Sequence, residues 1–282
     1  MLKPKGDFIM LCEKIDLYDY FKVKRTANEE GFLNVYIPEA PDYPTRVRPA
    51  MLVIAGGGYA YVSGREKECV ALSYIAKGFA AFTLEYSCAP TRFPAQLLEG
   101  AMAMAYVREN AERLHVIKDK VAAIGFSAGG HLAGMLATIY DAEEVVSVLK
   151  ERAINCRPDA VILSYPVITS GEKAHVGSFD CLCGDDLALR KRLSLENCVT
   201  ENSSPAFIWA TATDAGVHAE NSFLMATAYK EKGVPFELHI FESGIHGLSI
   251  ATEETGHVNV PVQSWLNLSF TWLNERGFKI KD

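Results

Sequence analysis

A serine flanked by small residues in the stretch GFSAGG is the first candidate for chemistry in this sequence. Ser127 lies between Gly125 and Gly129, which fits the GxSxG pattern of a nucleophilic serine on a sharp strand-to-helix turn. A side chain at either glycine would collide with the neighbouring strand or helix. The bare pattern also fits an ordinary structural turn. Its context favours the nucleophile, because an apolar strand candidate precedes it and an amphipathic helix candidate follows it.

A second glycine cluster, residues 56–58, comes one residue after the apolar run AMLVI, residues 50–54. Backbone N–H groups of such a loop, together with the N–H after a nucleophile, stabilise the oxyanion of an acyl-transfer intermediate. We therefore predict Gly57, Gly58 and Ala128 as the oxyanion donors. A flexible turn or a phosphate-binding loop is the alternative. The sequence lacks both the Gly-Lys-Ser/Thr of a P-loop and a GxGxxG that opens a helix.

A nucleophilic serine needs a base, and the base needs an orienting carboxylate. In folds that carry this turn, the acid and then the histidine follow the serine along the chain. Asp214 follows the strand candidate AFIWATA, and His246 lies in a glycine-flanked loop after FELHIF. We predict that Asp214 holds the Nδ1 proton of His246, so that Nε2 accepts the proton of Ser127. Glu220 and Glu242 are weaker alternatives for the acid.

The other histidines and aspartates are less well placed for this chemistry. His131 lies one helical turn after the serine, where a structural hydrogen bond is the expected role. His239 lies within a strand candidate, and His218 is expected near a helix start. The histidines without a strand-end position are His115, His175 and His257, and the competing aspartates are Asp141, Asp159, Asp180, Asp185 and Asp186.

Short apolar or β-branched runs alternate with longer segments of helical period along the chain. This alternation predicts an α/β fold with a mostly parallel sheet and helices on both faces. The strand candidates are 33–37, 50–54, 80–86, 121–125, 160–165, 206–212 and 236–241, and the helix candidates are 66–78, 94–114, 128–141, 218–232 and 262–276. The alternating run 33–37 predicts an antiparallel entry strand.

The segment between Pro166 and Pro205 interrupts the alternation. It holds a Gly/Ser-rich stretch, the sequence CLCGDD and a charged helix candidate near 186–197. A connection of this length predicts a lid or an insertion. We expect it to follow the sixth strand of a single domain that spans residues 1–282.

Four segments together resemble the α/β-hydrolase superfamily over about residues 30–280: GFSAGGHLAG, GGGYAYVSGRE, TDAGVHAENS and SGIHGLS. The resemblance is to the acetyl-esterase-like branch, which is related to acetylxylan esterases and hormone-sensitive-lipase-type carboxylesterases. It implies a catalytic triad and an oxyanion hole formed by the residues predicted above: Ser127, Asp214, His246, Gly57, Gly58 and Ala128. The sequence departs from the lipase-type pattern at Ala55, where many members have a histidine. Because the oxyanion donors are backbone groups, we expect a different support for the loop and an intact oxyanion hole.

The resemblance implies a serine hydrolase that cleaves carboxylic esters through an acyl-enzyme intermediate. It suggests short acyl chains, acetyl above all, and acetylated sugars as substrates. The same fold and triad also support peptidases and thioesterases, and a non-catalytic binding module is the alternative from another class. We expect a small-molecule ester as the partner and no cofactor. A homodimer is compatible with the sequence, which does not specify the oligomeric state.

Composition excludes several other classes of protein. The net charge of −7 and the lack of a dense Lys/Arg run argue against nucleic-acid binding. Acidic residues interrupt the N-terminal apolar run before a signal-peptide core forms, and no segment approaches the roughly 18 apolar residues of a membrane span. Seven cysteines without the spacing of a disulfide framework suit a reducing compartment. We therefore expect a cytoplasmic protein that does not bind membranes.

A zinc site is the remaining alternative for the 166–205 segment. His175, Cys181, Cys183 and Cys198 could together supply four ligands. The Cys-x-Cys spacing is not that of a usual structural zinc pair, and free cysteines are often buried as small apolar residues. We expect no metal.

Overall fold

Eight strands form one sheet in a computed structural model of the protein, which describes residues 10–40, 42–43 and 45–282. The strands are β1 (Leu11–Asp16), β2 (Phe32–Ile37), β3 (Arg48–Ile54), β4 (Ala80–Glu85), β5 (Val116–Phe126), β6 (Ala160–Ser164), β7 (Ala206–Thr211) and β8 (Phe236–Phe241). Their spatial order is β1-β2-β4-β3-β5-β6-β7-β8. Strands β1 and β2 pair antiparallel, β2 pairs antiparallel with β4, and all other pairs are parallel.

Nine α-helices accompany the sheet in the described residues. They are α1 (Leu17–Phe21), α2 (Glu68–Ile75), α3 (Ala95–Glu109), α4 (Ala128–Thr138), α5 (Glu143–Leu149), α6 (Val176–Cys183), α7 (Leu187–Arg192), α8 (Glu220–Glu231) and α9 (Val260–Glu275). No helix in the described part of the chain is both long and apolar enough to cross a lipid bilayer.

The core lies on both faces of the sheet. Strands β3, β6 and β7 are buried along their whole length, as expected for parallel strands covered by helices on both sides. Alternate residues of β3 pack on opposite faces of the sheet. Leu52 and Ile54 belong to one apolar cluster, and Met51 and Val53 belong to the other. This arrangement confirms the predicted α/β layering and the antiparallel entry strand β2.

The structure adds elements that the sequence pattern did not predict. Strand β1 and helices α1, α5 and α6 are short, and the predicted helices end earlier than expected. The predicted helix 94–114 ends at Glu109, because Ala111 and Leu114 are buried in a turn and continue the apolar pattern past the helix. The predicted helix near 186–197 is α7 followed by a short 3-10 turn, Leu195–Asn197.

The segment 166–205 follows β6, the sixth strand, as expected. It contains α6 and α7, and it packs on the core through the buried side chains of Phe179, Leu182 and Leu195. Through these side chains the segment is anchored to the apolar core on one face of the sheet.

Candidate active site

Ser127 forms the sharp connection between β5 and α4. Its backbone has φ +52° and ψ −119°, a conformation rarely adopted by a residue other than glycine. Its N–H donates to the Ser164 carbonyl at 3.0 Å, and its carbonyl accepts from the N–H groups of His131 at 3.1 Å and Val167 at 3.0 Å. These three hydrogen bonds hold the turn and place the serine side chain at the carboxyl edge of the sheet.

The two glycines of the GxSxG pattern permit the tight turn, as predicted. A Cβ atom at Gly125 would overlap the carbonyl oxygen of Gly129, and a Cβ atom at Gly129 would overlap the carbonyl oxygens of Ile54 and Ala55. Both overlaps would be with backbone carbonyl oxygens, so no movement of a side chain could relieve them. Helix α4 can therefore approach β3 and β5 this closely only with glycine at both positions.

The structure brings Ser127, His246 and Asp214 into one hydrogen-bonded line. Ser127 Oγ lies 2.8 Å from His246 Nε2, and His246 Nδ1 lies 2.7 Å from Asp214 Oδ2. Asp214 follows β7 and His246 follows β8, so each side chain comes from the carboxyl end of a neighbouring strand. This edge is where open α/β sheets place their ligand sites.

The surroundings of Asp214 fix the direction of these hydrogen bonds. Its side chain is only 1% exposed, and Oδ1 accepts from the backbone N–H groups of Gly216 at 2.8 Å and Val217 at 3.0 Å. The other oxygen, Oδ2, is then positioned to accept from Nδ1–H of His246. In this tautomer Nε2 carries no proton and can accept one from the Ser127 hydroxyl.

The glycine loop lies beside the serine hydroxyl. Gly57 and Gly58 have φ values of +124° and +65°, and among the described residues their N–H groups have no hydrogen-bond acceptor. Ala128 is the first residue of α4, where helix geometry leaves the N–H without an intrahelical acceptor, and the Ser127 side chain does not cap it. Both glycines line a cavity of about 330 Å³ together with Ser127 and His246, which we call the catalytic cavity. Donors in this position favour negative charge that develops near the serine.

The carboxylate of Glu66 links this glycine loop to the histidine loop. Glu66 is 2% exposed; its Oε2 accepts from Gly56 N–H at 2.8 Å, and its Oε1 accepts from the Tyr165 hydroxyl at 2.7 Å. The Tyr165 oxygen in turn accepts from Ser249 N–H at 2.8 Å. The Tyr165 ring also packs edge-on against the ring of His246, with centroids 5.1 Å apart. Glu66 thus supports the loop in a chain that lacks a histidine before the glycines.

His131, the histidine nearest to the serine in sequence, has a structural environment. Its Nε2 lies 2.8 Å from the Leu193 carbonyl oxygen, and its Nδ1 lies 2.8 Å from the Tyr59 hydroxyl. Since a carbonyl can only accept, Nε2 carries the proton and Nδ1 accepts from Tyr59. Burial lowers the pKa of His131 to about 4. This neutral, doubly bonded histidine fits the structural role expected for it.

The alternatives for the base and for a metal site lie elsewhere or are engaged otherwise. His239 lies in β8 with Nε2 2.6 Å from Glu237 Oε1. His175 lines the catalytic cavity, and its Nδ1 accepts from Ser178 N–H at 3.3 Å as the cap of α6. Across residues 10–40, 42–43 and 45–282, no group of three or more His, Cys, Asp or Glu residues could hold a metal ion. The four residues considered for zinc, His175, Cys181, Cys183 and Cys198, therefore do not form such a group.

Comparison with known proteins places the chain in a family. Residues 33–229, more than half of the chain, match the family model BD-FAE. The chain belongs to the BD-FAE family. Its eight-stranded sheet with flanking helices is the α/β-hydrolase fold, as the sequence resemblance implied.

Two relatives of this BD-FAE chain are longer proteins. The chain is 40% identical over 214 residues to endo-1,4-beta-xylanase B from Butyrivibrio fibrisolvens, an alignment that covers 73% of this chain and 33% of the relative. It is 26% identical over 225 residues to acetylxylan esterase from Xylanibacter ruminicola, covering 77% of this chain and 43% of the relative. The chain thus spans less than half the length of each of these relatives.

A solved structure matches the BD-FAE chain over nearly its whole length. The acetyl ester-xyloside bifunctional hydrolase from Caldicellulosiruptor lactoaceticus superposes with a TM-score of 0.84 at 34% sequence identity. The match covers 97% of this chain and 100% of that one. The similarity therefore includes the strand ends that carry Ser127, Asp214 and His246.

Reasoning from sequence missed several residues around the site of this BD-FAE member. Glu66 lies in the SGRE segment that contributed to the resemblance, but no role was predicted for it. Tyr165 directly follows β6, and its position at a strand end beside β7 was a usable signal. His175 and Tyr61 line the catalytic cavity from loops whose folded position the sequence pattern does not reveal.

Proposed function

We propose that this BD-FAE member is a serine esterase that hydrolyses short-chain carboxylic esters through an acyl-enzyme intermediate. The observation that carries the proposal is the hydrogen-bonded line from Ser127 Oγ through His246 to the buried Asp214. This line opens into the catalytic cavity, which Gly57 and Gly58 also line. The arrangement combines a nucleophile, a base, an orienting acid and free N–H donors at one sheet edge.

Acylation begins with the Ser127 hydroxyl. His246 Nε2 accepts its proton as Oγ attacks the ester carbonyl carbon, and the former carbonyl oxygen becomes an oxyanion. The N–H groups of Gly57, Gly58 and Ala128 stabilise this charge. The imidazolium, stabilised by Asp214, then gives its proton to the alcohol oxygen. The bond between that oxygen and the carbonyl carbon breaks, and the alcohol leaves.

Deacylation repeats the same steps with water as the nucleophile. His246 Nε2 accepts a proton from water as the water oxygen attacks the acyl carbon, and the same N–H groups stabilise the second oxyanion. The proton then returns to Ser127 Oγ as the acyl bond breaks. A carboxylic acid is released and the free serine is restored. The route needs no metal or cofactor.

The names of the relatives support a short acyl group in the ester and a sugar hydroxyl as its alcohol part. One is named acetylxylan esterase, and the similar solved structure is named an acetyl ester-xyloside bifunctional hydrolase. The catalytic cavity of about 330 Å³ is at the small end of the range for ligand sites, which suits an acetyl ester. We assign segment 166–205 the role of a wall over this cavity, since it contributes His175, Gly177 and Cys181.

The compartment belongs to the same proposal. All seven cysteines lie in the described residues and are free. Free thiols in this number suit a reducing environment. We therefore assign the protein to the cytoplasm.

Hydrolysis of nitrophenyl acetate, butyrate and octanoate tests the proposed activity. We expect the acetate to react fastest, and we expect Ser127→Ala and His246→Ala to lower kcat equally, by roughly 10⁴-fold or more, because the members of a triad act as a unit. His239→Ala is the matched control, since His239 contacts Glu237 on the edge strand β8. Wild-type turnover no greater than that of Ser127→Ala on all three esters would reject the esterase.

A further inference from the structure

A cavity of about 400 Å³ lies at the sheet edge opposite the serine. Its wall includes Leu11 and Arg48, the first residues of β1 and β3, and Ile37, the last residue of the antiparallel strand β2. Strand β3 runs from this cavity toward the glycine loop, and its seven residues span about 20 Å. The cavity is therefore distinct from the catalytic cavity. We call it the arginine cavity, because Arg46 and Arg113 also line it.

Arg48 places a buried positive charge on the wall of the arginine cavity. The residue is only 8% exposed. Among the described residues, its guanidinium has one hydrogen-bond acceptor, the Gly78 carbonyl oxygen at 3.5 Å, and no carboxylate lies within ion-pair distance. Burial, and to a lesser degree the charge of Arg46, lowers the pKa of Arg48. A buried charge without a partner is unfavourable, so an anion at the remaining N–H groups would stabilise it.

The other charges on the wall leave this guanidinium as the group to be neutralised. They belong to Glu39, Arg46 and Arg113, and His115 contributes an imidazole. Arg46 is paired with Asp282 at 2.7 Å, and Arg113 is paired with Glu13 at 3.0 Å. Glu39 is exposed, so water and salt screen its charge. The arginine cavity therefore favours a ligand with a single negative charge.

The rest of the wall is mostly apolar. It is formed by Leu11, Ile37, Pro38, Ala40 and Tyr43. The Arg46 guanidinium lies 3.8 Å from the centroid of the Tyr43 ring and holds this ring in place. An apolar ligand body would remove the wall from water, whereas a bare phosphate or sulfate ion would leave it exposed. At the charged end, the planar fork of a guanidinium matches the two oxygens of a carboxylate.

We propose that the arginine cavity binds a monocarboxylate with an apolar body, such as a medium-chain aliphatic acid. The carboxylate lies at the Arg48 guanidinium, and the chain lies on Ile37 and Tyr43. The ligand supplies the partner that the buried charge lacks in the described part of the chain. The site is independent of the proposed esterase, since none of the residues described on its wall lines the catalytic cavity.

Isothermal titration calorimetry with hexanoate tests the proposal. We expect hexanoate to bind at a single site with a Kd of about 1 mM or lower. Hexanamide has the same shape without the charge, and acetate has the charge without the chain. Each should bind about tenfold or more weakly than hexanoate. Sulfate supplies an anion without an apolar body, and its affinity should also be about tenfold or more lower.

Variants of Arg48 separate a ligand site from a structural arginine. Arg48→Met keeps an apolar stem and removes the charge, so its affinity for hexanoate should be about tenfold or more lower. Without ligand, its Tm should equal or exceed that of wild type, because an unpaired buried charge has been removed. Arg48→Lys keeps the charge and loses the fork, and we expect an intermediate affinity.

Arg276→Met is the matched control. Arg276 is a half-buried arginine that donates to the Trp272 carbonyl oxygen at 3.1 Å, and it lies outside the arginine cavity. Its affinity for hexanoate should equal that of wild type.

Four results would overturn the proposal. An unchanged hexanoate affinity in Arg48→Met would mean that the ligand binds elsewhere, the catalytic cavity included. Equal affinities for hexanoate and hexanamide would remove the role of the charge, and equal affinities for hexanoate and sulfate would remove the role of the apolar wall. A Tm of unliganded Arg48→Met well below that of wild type would show that Arg48 stabilises the fold instead. Ester hydrolysis enters none of these measurements, so the two proposals are accepted or rejected separately.

Discussion

Replacing Glu66 tests whether this buried carboxylate holds the glycine loop, residues 56–58, in the position that the proposed catalysis requires. Glu66→Ala leaves two buried donors without their acceptor, the Gly56 N–H and the Tyr165 hydroxyl. A hydrogen bond to a charged group contributes about 1.5–3 kcal/mol, so we expect the variant to lose about 4 kcal/mol of unfolding free energy. Glu66→Gln keeps one oxygen acceptor and turns an amide group toward the other donor. Its expected loss is about 2 kcal/mol.

The effect on catalysis follows from the position of the loop. Gly56 directly precedes Gly57 and Gly58, whose N–H groups we propose as oxyanion donors, and loss of one such donor costs about 10²–10³-fold in kcat. We expect Glu66→Ala to lower kcat by about 10²-fold and Glu66→Gln by about tenfold. KM for nitrophenyl acetate should change by less than about threefold, because the affected contacts strengthen in the transition state.

The assay measures kcat and KM on nitrophenyl acetate beside thermal unfolding, at a temperature where each variant is folded. Glu68→Gln is the matched control, since Glu68 is an exposed glutamate two residues away that accepts from the Tyr36 hydroxyl at 3.3 Å. Tyr165→Phe removes only the part of the network that leads toward His246. Combined with Glu66→Ala, its effect on kcat should be less than additive. An unchanged kcat in folded Glu66→Ala would refute the positioning role.

Two further variants test the acid and the buried titratable groups. In Asp214→Asn the amide oxygen can still accept from the N–H groups of Gly216 and Val217, but the amide N–H₂ faces His246 Nδ1 and favours the wrong imidazole tautomer. We therefore expect kcat to fall by roughly 10⁴-fold with little change in Tm. A loss of kcat below about tenfold would contradict the assignment of Asp214 as the acid. Burial raises the pKa of Glu99 from 4.5 to about 7 and lowers that of His131 from 6.5 to about 4. The stabilisation from neutral Glu99 is lost as pH rises from 4.5 to 7, whereas that from neutral His131 is lost as pH falls from 6.5 to 4. Glu99→Gln removes only the first effect. Its unfolding free energy in urea, relative to wild type, should therefore rise by about 1 kcal/mol per pH unit between about pH 5 and 6.5, and a parallel pH profile would contradict the assignment.

The three candidate catalytic residues at strand ends are the part of the site that the sequence predicts best. The serine, the acid and the histidine each follow an apolar run, and the carboxyl ends of parallel strands meet at one edge of a sheet. Residues 119 positions apart, Ser127 and His246, therefore become neighbours for reasons visible in the chain. The sequence pattern does not provide the 2.8 Å contact itself or the buried setting of Asp214, which depend on packing.

The positions of loop side chains could not be predicted from the sequence pattern. Tyr61 and His175 enter the catalytic cavity because of turns and of the packing of segment 166–205 on the core. Neither residue belongs to a periodic segment that would indicate its direction. The role of Glu66 could not be predicted from a local pattern either, because it depends on hydrogen bonds with Gly56 and Tyr165, which lie 10 and 99 residues away in sequence.

Short elements at the ends of the periodic segments were missed for a different reason. Strand β1 carries three charged residues among its six, Glu13, Lys14 and Asp16, and it pairs only with β2 at the edge of the sheet. Its apolar pattern is weak because one side of the strand is open to solvent. A short element that has neither a continuous apolar run nor a clear alternation gives no periodic signal from which to predict it.

The backbone of Ser127 places stability and activity in conflict. A residue other than glycine at φ +52° and ψ −119° costs about 1–3 kcal/mol of conformational energy. Glycine at this position would keep all three backbone hydrogen bonds of the turn without that cost, but it would have no hydroxyl. A chain selected for stability alone would therefore carry glycine here. The serine can persist only because the surrounding fold is stable enough to tolerate its unfavourable geometry.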